Sequence, residues 1–207
     1  VLINRLFIGL VGAILMFFGD MLLYYDKNDY EEGKGLDAIV AIMKDVSVSR
    51  LYIGGLIGPI AAFFYIIGFT HILLIAKPSW SYMAIGIFSL NAVGICCGGA
   101  YHSHCAYLGL LSRLKVAEAF ETFLAYLKVQ AKLLFILMGL ANVGLTCFIG
   151  LGATIFPRWL ALFTPICLMA LTPVVGKLPK GFHILIRGGW TNIVFIIYYG
   201  MALWLMR

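Results

Sequence analysis

Asp20 is the residue whose setting most invites chemistry. It lies between Gly19 and Met21 in an otherwise apolar run, and a carboxylate there is costly unless paired or wetted. It could serve as a proton carrier, a metal ligand, a catalytic base or the partner of a base on another helix. The plainer reading is a carboxylate close enough to the end of its run to be hydrated. The densest polar cluster is Gly98-Gly99-Ala100-Tyr101-His102-Ser103-His104-Cys105. On a continuous helix Asn91, Gly98, His102 and Cys105 share one face, because about eleven residues make three turns, and His104 turns away from it. The two glycines would instead permit an extended His-x-His, a recurrent metal spacing. His183, Arg187 and Thr191 recur along one side of a later helix and add a second basic face.

Asp20, His102, His104 and His183 are therefore the candidate metal set, with a divalent ion such as zinc as the cofactor. Asp20, His102 and His104 are the candidate catalytic groups. Imidazoles and a carboxylate suit zinc, and a water in the open position would become a nucleophile. That chemistry is hydrolysis of an ester, amide or phosphodiester at headgroup level. Without metal, Arg187 and imidazolium groups would attract an anion. No H-E-x-x-H motif is present, and histidines without a shared ligand are the bland alternative. His71 belongs to the opposite end of its run and to a separate environment.

Asn91, Asn142 and Asn192 sit in the middle of apolar runs and, with Arg187, are the candidate substrate-binding residues. An amide offers two donors and an acceptor, so each asparagine either bridges helices or lines a wet cavity. The stretch 91–97, Asn-Ala-Val-Gly-Ile-Cys-Cys, loosely echoes 142–147, Asn-Val-Gly-Leu-Thr-Cys; the two runs go in opposite directions, and the short match reads as coincidence. Cys96, Cys97, Cys105, Cys147 and Cys167 form no C-x-x-C pair and read as small buried hydrophobes.

The elements that must position these groups are apolar helices. The 207 residues are 63% hydrophobic and 12% charged, too few charges to cover a water-facing surface, since soluble domains carry about 25%. The fold class expected is all-α: a polytopic integral membrane bundle of about six transmembrane helices. A crossing takes about 20 apolar residues, and runs at 6–24, 51–76, 80–101, 131–153, 159–175 and 182–206 qualify. Lys77-Pro78 and Phe156-Pro157 make tight turns between runs. Most of the 15 Lys and Arg residues fall on the side of the connections 25–50 and 113–130, which favours that side as cytoplasmic. Apolar residues at helical spacing over 36–46 predict a short helix on the membrane surface. Val116, Phe120, Phe123, Leu124 and Leu127 form another stripe leading into the fourth run. Gly54, Gly58 and Ala62 recur every fourth position and permit close helix approach. Pro59, Pro165 and Pro173 lie inside runs and could free carbonyls.

A buried Asp with histidines on one side is superficially similar to the seven-helix hydrolases of the alkaline ceramidase and progestin-receptor type. Here no Ser stands four residues before any His, no His-x-x-x-His closes the chain, and the runs number six. No residue roles carry over.

The expectation drawn from these residues is an intramembrane enzyme, metal-dependent hydrolase chemistry included, acting on a lipid or hydrophobic small molecule. The alternatives are a transporter or channel for a small solute or ion, and a non-catalytic subunit of a membrane complex. The partners expected are the lipid bilayer and a hydrophobic or small polar substrate. Nucleic acid is excluded, because the bases cap apolar runs and form no stripe with interleaved aromatics.

Overall fold

A computed structural model of the chain describes residues 1–25, 42–43, 45–114, 116–179, 182, 186 and 188–207. The described residues are helical and contain no strand, only a bridge pairing Ala76 with Thr154. The long helices are α1 (Leu2–Tyr24), α2 (Val48–Phe69), α4 (Ser81–Leu111) and α5 (Ala117–Gly150). The shorter ones are α3 (His71–Ile75), α6 (Pro165–Met169), α7 (Thr172–Val175) and α8 (Trp190–Trp204). Among the described residues four helical stretches are long and apolar enough to cross a membrane: Leu2–Tyr24, Val48–Ile75, Pro78–Leu111 and Ala117–Gly150.

The outward faces are as apolar as the inward ones. Leu56 is 66% exposed and Phe135 63%, a pattern that suits helices whose solvent is lipid. Consecutive long helices pack side by side, and α8 lies along α1. Small residues set how closely they approach. A Cβ on Gly68 would come 2.4 Å from the Gly9 Cα, and one on Gly12 would come 2.9 Å from the Tyr65 nitrogen. The backbones of α1 and α2 therefore nearly touch. Gly58 and Ala62 of α2 meet His102 and Gly99 of α4 in the same manner, as their spacing predicts. Gly54 turns instead toward Leu22 and Leu23 of α1.

Several expected boundaries differ. The third run continues to Leu111, and the fourth begins at Ala117. The stripe from Phe120 to Leu127 is thus part of α5, and little connection remains between α4 and α5. Charged residues end an apolar run without ending a helix, because Glu, Lys and Arg are good helix formers. The fifth run is not one helix. It is a 3₁₀ turn at Arg158–Phe163 followed by α6 and α7, with Pro165 and Pro173 each in the first turn of its helix. These two prolines start helices and do not interrupt them. Of the sixth run, Trp190–Trp204 is a described helix shorter than a full crossing. Most of the surface helix expected at 36–46 lies outside the described residues.

Candidate functional site

Pro59 explains how two helices come to share polar groups. Lacking an N–H, it cannot serve the carbonyl one turn earlier, which is that of Gly55. The Ser103 hydroxyl donates to the Gly55 oxygen at 2.8 Å. Beside it, His102 Nδ1 lies 3.0 Å from the Gly54 oxygen. Helix α4 is thus bonded to α2 at consecutive carbonyls, and His102 is held against Gly58, where a Cβ would stand 2.4 Å from its own.

That anchorage makes Nδ1 the ring's donor to α2. A carbonyl oxygen only accepts, so Nδ1 must carry a hydrogen. Nε2 then faces Asp20 Oδ1 at 2.8 Å, and one proton lies between them. It belongs either to the carboxylate, with a neutral imidazole, or to an imidazolium beside a carboxylate. In both forms the pair is electrically neutral, which is how an acid only 5% exposed avoids burying a net charge.

The other carboxylate oxygen accepts from Asn192 Nδ2 at 2.6 Å, and Asn192 Oδ1 accepts from the Tyr65 hydroxyl at 2.8 Å. Four helices, α1, α2, α4 and α8, thereby contribute to one buried network. On its other flank the Tyr24 ring lies edge-on to His102 at 6.1 Å, and Cys105 is within hydrogen-bonding reach of Tyr24 and Tyr101.

A second imidazole station sits farther along α2. His71, fully buried, places Nδ1 2.7 Å from the Gly68 oxygen and Nε2 2.8 Å from the Tyr198 hydroxyl. By the same logic Nδ1 donates, so Nε2 of the neutral ring accepts from Tyr198. Between the stations lies Tyr199, whose ring is 6.4 Å from that of Tyr65 and 5.6 Å from that of His71. Its buried hydroxyl has no protein partner among the described residues. From Gly54 to His71 the polar groups extend about 26 Å at ~1.5 Å per residue, close to the ~30 Å of a hydrocarbon core.

The chain belongs to a family of unknown function. The model of that family (DUF6796) matches residues 3–207. No curated protein and no solved structure matches the chain.

Of the expected site residues, Asp20 and His102 meet, and Asn192 joins them. His104 does not. Helix α4 runs unbroken through Gly98 and Gly99, so His104 turns to α5, where Nδ1 meets Gln130 Oε1 at 2.6 Å and the ring packs on Phe123 and Tyr126. His183 and Arg187 lie outside the described residues. Among the described residues no three His, Cys, Asp or Glu side chains are grouped to hold a metal ion, and both ring nitrogens of His102 are engaged. A groove of about 550 Å³, lined in part by Tyr107, Leu111, Phe123 and Tyr126, adjoins His104 and not the Asp20 pair. The groups expected to form one catalytic centre are thus divided between two places.

Asn91 and Asn142 lie apart from the network, each bonded to its own helix. Tyr65 was not among the expected residues. Its signal is positional: it continues the Gly58 and Ala62 face of α2, a large hydroxyl-bearing residue at the end of a row chosen for close contact.

Proposed function

We propose that this chain is a multi-pass membrane protein that handles protons, as a transporter or channel whose coupling or permeant ion is H⁺. In this reading the four long apolar stretches cross the bilayer, and 159–175 and 182–206 supply two further crossings. The observation that carries the reading is the contact of His102 Nδ1 with the Gly54 oxygen, which turns Nε2 toward Asp20 Oδ1 and supports a proton shared between them.

The consequence is a switch. With the shared proton present the pair is neutral and fits a dry, close-packed crossing. Release of that proton leaves one uncompensated negative charge in the bundle, an arrangement costing several kcal/mol. A state that admits water beside Asp20 or separates α1 from α4 is then favoured, and the proton thereby biases two conformations. Asn192 orients Asp20 but is a poor proton carrier, because relaying through an amide needs its unfavourable imidic form. Passage toward Tyr65 therefore requires that bond to open.

Two further facts support a proton over a larger substrate at this pair. Glycine backbones and Ile57 crowd His102 and the Gly19 turn beside Asp20, leaving the pair accessible to little beyond water. The hydroxyls and imidazole of Tyr65, Tyr199, Tyr198 and His71 continue the polar trail through the bundle, whereas a site for headgroup hydrolysis would need polar groups at one face alone.

The test is proton flux into liposomes carrying the purified protein, driven by a potassium diffusion potential and read with an entrapped pH dye. Asp20→Asn keeps the geometry: its amide nitrogen donates to His102 Nε2 and its oxygen accepts from Asn192. Wild-type vesicles should acidify faster than empty ones, and Asp20→Asn vesicles should fall to the empty-vesicle rate. Equal rates for Asp20→Asn and wild type would remove the proposal.

A further inference from the structure

The seam between α4 and α5 contains two buried amides that the proton network does not use. Asn91 is fully buried and Asn142 is 4% exposed. Each donates from Nδ2 to the carbonyl one turn back, Ile87 at 2.9 Å and Met138 at 2.8 Å. Because a carbonyl only accepts, the amide nitrogen must face it, and the side-chain oxygen must point elsewhere. In both residues that oxygen is buried and has no protein donor among the described residues. A buried acceptor left without a donor costs about 1–3 kcal/mol, and here the cost arises twice.

The two asparagines also stand at nearly one backbone level on neighbouring helices. Gly144 of α5 packs on Ile87, the residue whose carbonyl Asn91 holds, and Gly94 of α4 packs on Met138, the residue whose carbonyl Asn142 holds. Gly98 meets Leu134 farther along. In this antiparallel register Asn91 stands opposite Leu140 or Ala141, one or two positions from Asn142, an axial offset of about 1.5–3 Å at the backbone. The short echo between Asn91-Ala-Val-Gly94 and Asn142-Val-Gly144 is therefore a reciprocal arrangement across one seam.

We propose that this seam is a binding site for a small hydrogen-bond donor, held between Asn91 Oδ1 and Asn142 Oδ1. Two neutral acceptors select N–H or O–H donors such as an ammonium, an amide or water, and reject anions, which the carbonyl dipoles repel. If the chain transports a solute coupled to protons, this is where a donor cargo is held. That last clause rests on the proton-transport reading; the binding site does not.

The experiment is infrared spectroscopy of detergent-purified protein whose asparagines carry ¹³C at the side-chain carbonyl, with Asn91→Leu and Asn142→Leu assigning the bands. Both carbonyls should absorb at the lowered frequency of a hydrogen-bonded amide. Removal of either asparagine should shift the band of the other, because the shared guest is lost. Methylammonium or urea should move both bands if the guest is a solute, whereas a response to D₂O alone identifies water. Bands at the free-carbonyl position in the wild type overturn the site, as do bands indifferent to the other asparagine or a response to formate equal to that of the donors. Should a leucine variant fail to fold, alanine replaces it, and the wild-type band position still decides whether a donor is bound. Proton flux lost in Asp20→Asn is a separate readout, so either proposal can fail alone.

Discussion

Removing His102 tests the shared proton most directly. His102→Ala deletes the bonds to Gly54 and Asp20 and leaves the carboxylate with Asn192 as its remaining side-chain partner. Breaking one member of a buried charge pair costs about 3–5 kcal/mol. Asp20→Asn alone should cost within ~1 kcal/mol, since an amide turned with its nitrogen toward His102 preserves each hydrogen bond. The double variant carries the sharper sign. Once His102 is gone, the burden is an unpaired acid, and Asp20→Asn removes it, so the second substitution should restore about 1–3 kcal/mol of what the first lost. The assay is equilibrium unfolding of the four proteins in one detergent. A double variant no more stable than His102→Ala would refute the argument, because it would mean that no proton or charge is shared across the pair.

Two further predictions concern the packing that holds the pair. Gly58→Ala places a methyl group 2.4 Å from the His102 Cβ and 3.0 Å from the Gly99 oxygen, and should cost about 1–3 kcal/mol with loss of proton flux. Gly86→Ala, where nothing lies within 4 Å, should be neutral or stabilising by up to ~1 kcal/mol; equal losses at both glycines in thermal unfolding would contradict the packing argument. Ser103→Ala should cost about 1–3 kcal/mol by leaving the Gly55 oxygen without its donor. In a Pro59→Ala background that cost should fall to under ~1 kcal/mol, because residue 59 regains an N–H for the same oxygen. An unchanged cost there, measured by denaturant unfolding, would show that proline had not freed that carbonyl.

Much of the architecture was legible because an apolar helix signals itself by continuous hydropathy. The errors have identifiable causes. At 113–130 the charges Arg113, Glu118, Glu121 and Lys128 read as a connection, yet most of that stretch is helical; hydropathy marks where lipid would end and says nothing of where helical hydrogen bonding ends. At 159–175 the composition is apolar enough for one helix, but Pro165 and Pro173 lack the N–H that would continue it, so the backbone restarts twice. Composition was informative about solvent and uninformative about continuity.

The candidate site was legible to a different depth. Asp20 and His102 stood out because each is expensive where it lies, and expense is visible in a single sequence. Their meeting depended on α1, α2 and α4 approaching at glycines, which the Gly54, Gly58 and Ala62 spacing announced. The role of Tyr65 was hidden, because a tyrosine in an apolar helix is ordinarily a packing residue with a tolerated hydroxyl. What gives it meaning is Asn192, brought from the far end of the chain by α8 lying along α1. His104 is the converse case, a residue type suited to metal that a continuous helix turns to another partner. The polar residues therefore revealed where free energy must be compensated, and only the register of the helices determined by what. The same reasoning separates the two asparagine pairs of bonds: Asn192 has both ends of its amide satisfied across helices, whereas Asn91 and Asn142 each spend their donor on their own helix and keep an acceptor in reserve. A bundle that only needed helix-to-helix glue would have used those acceptors. Both acceptors lie buried on neighbouring helices without a donor among the described residues, which sets them apart from the amide of Asn192.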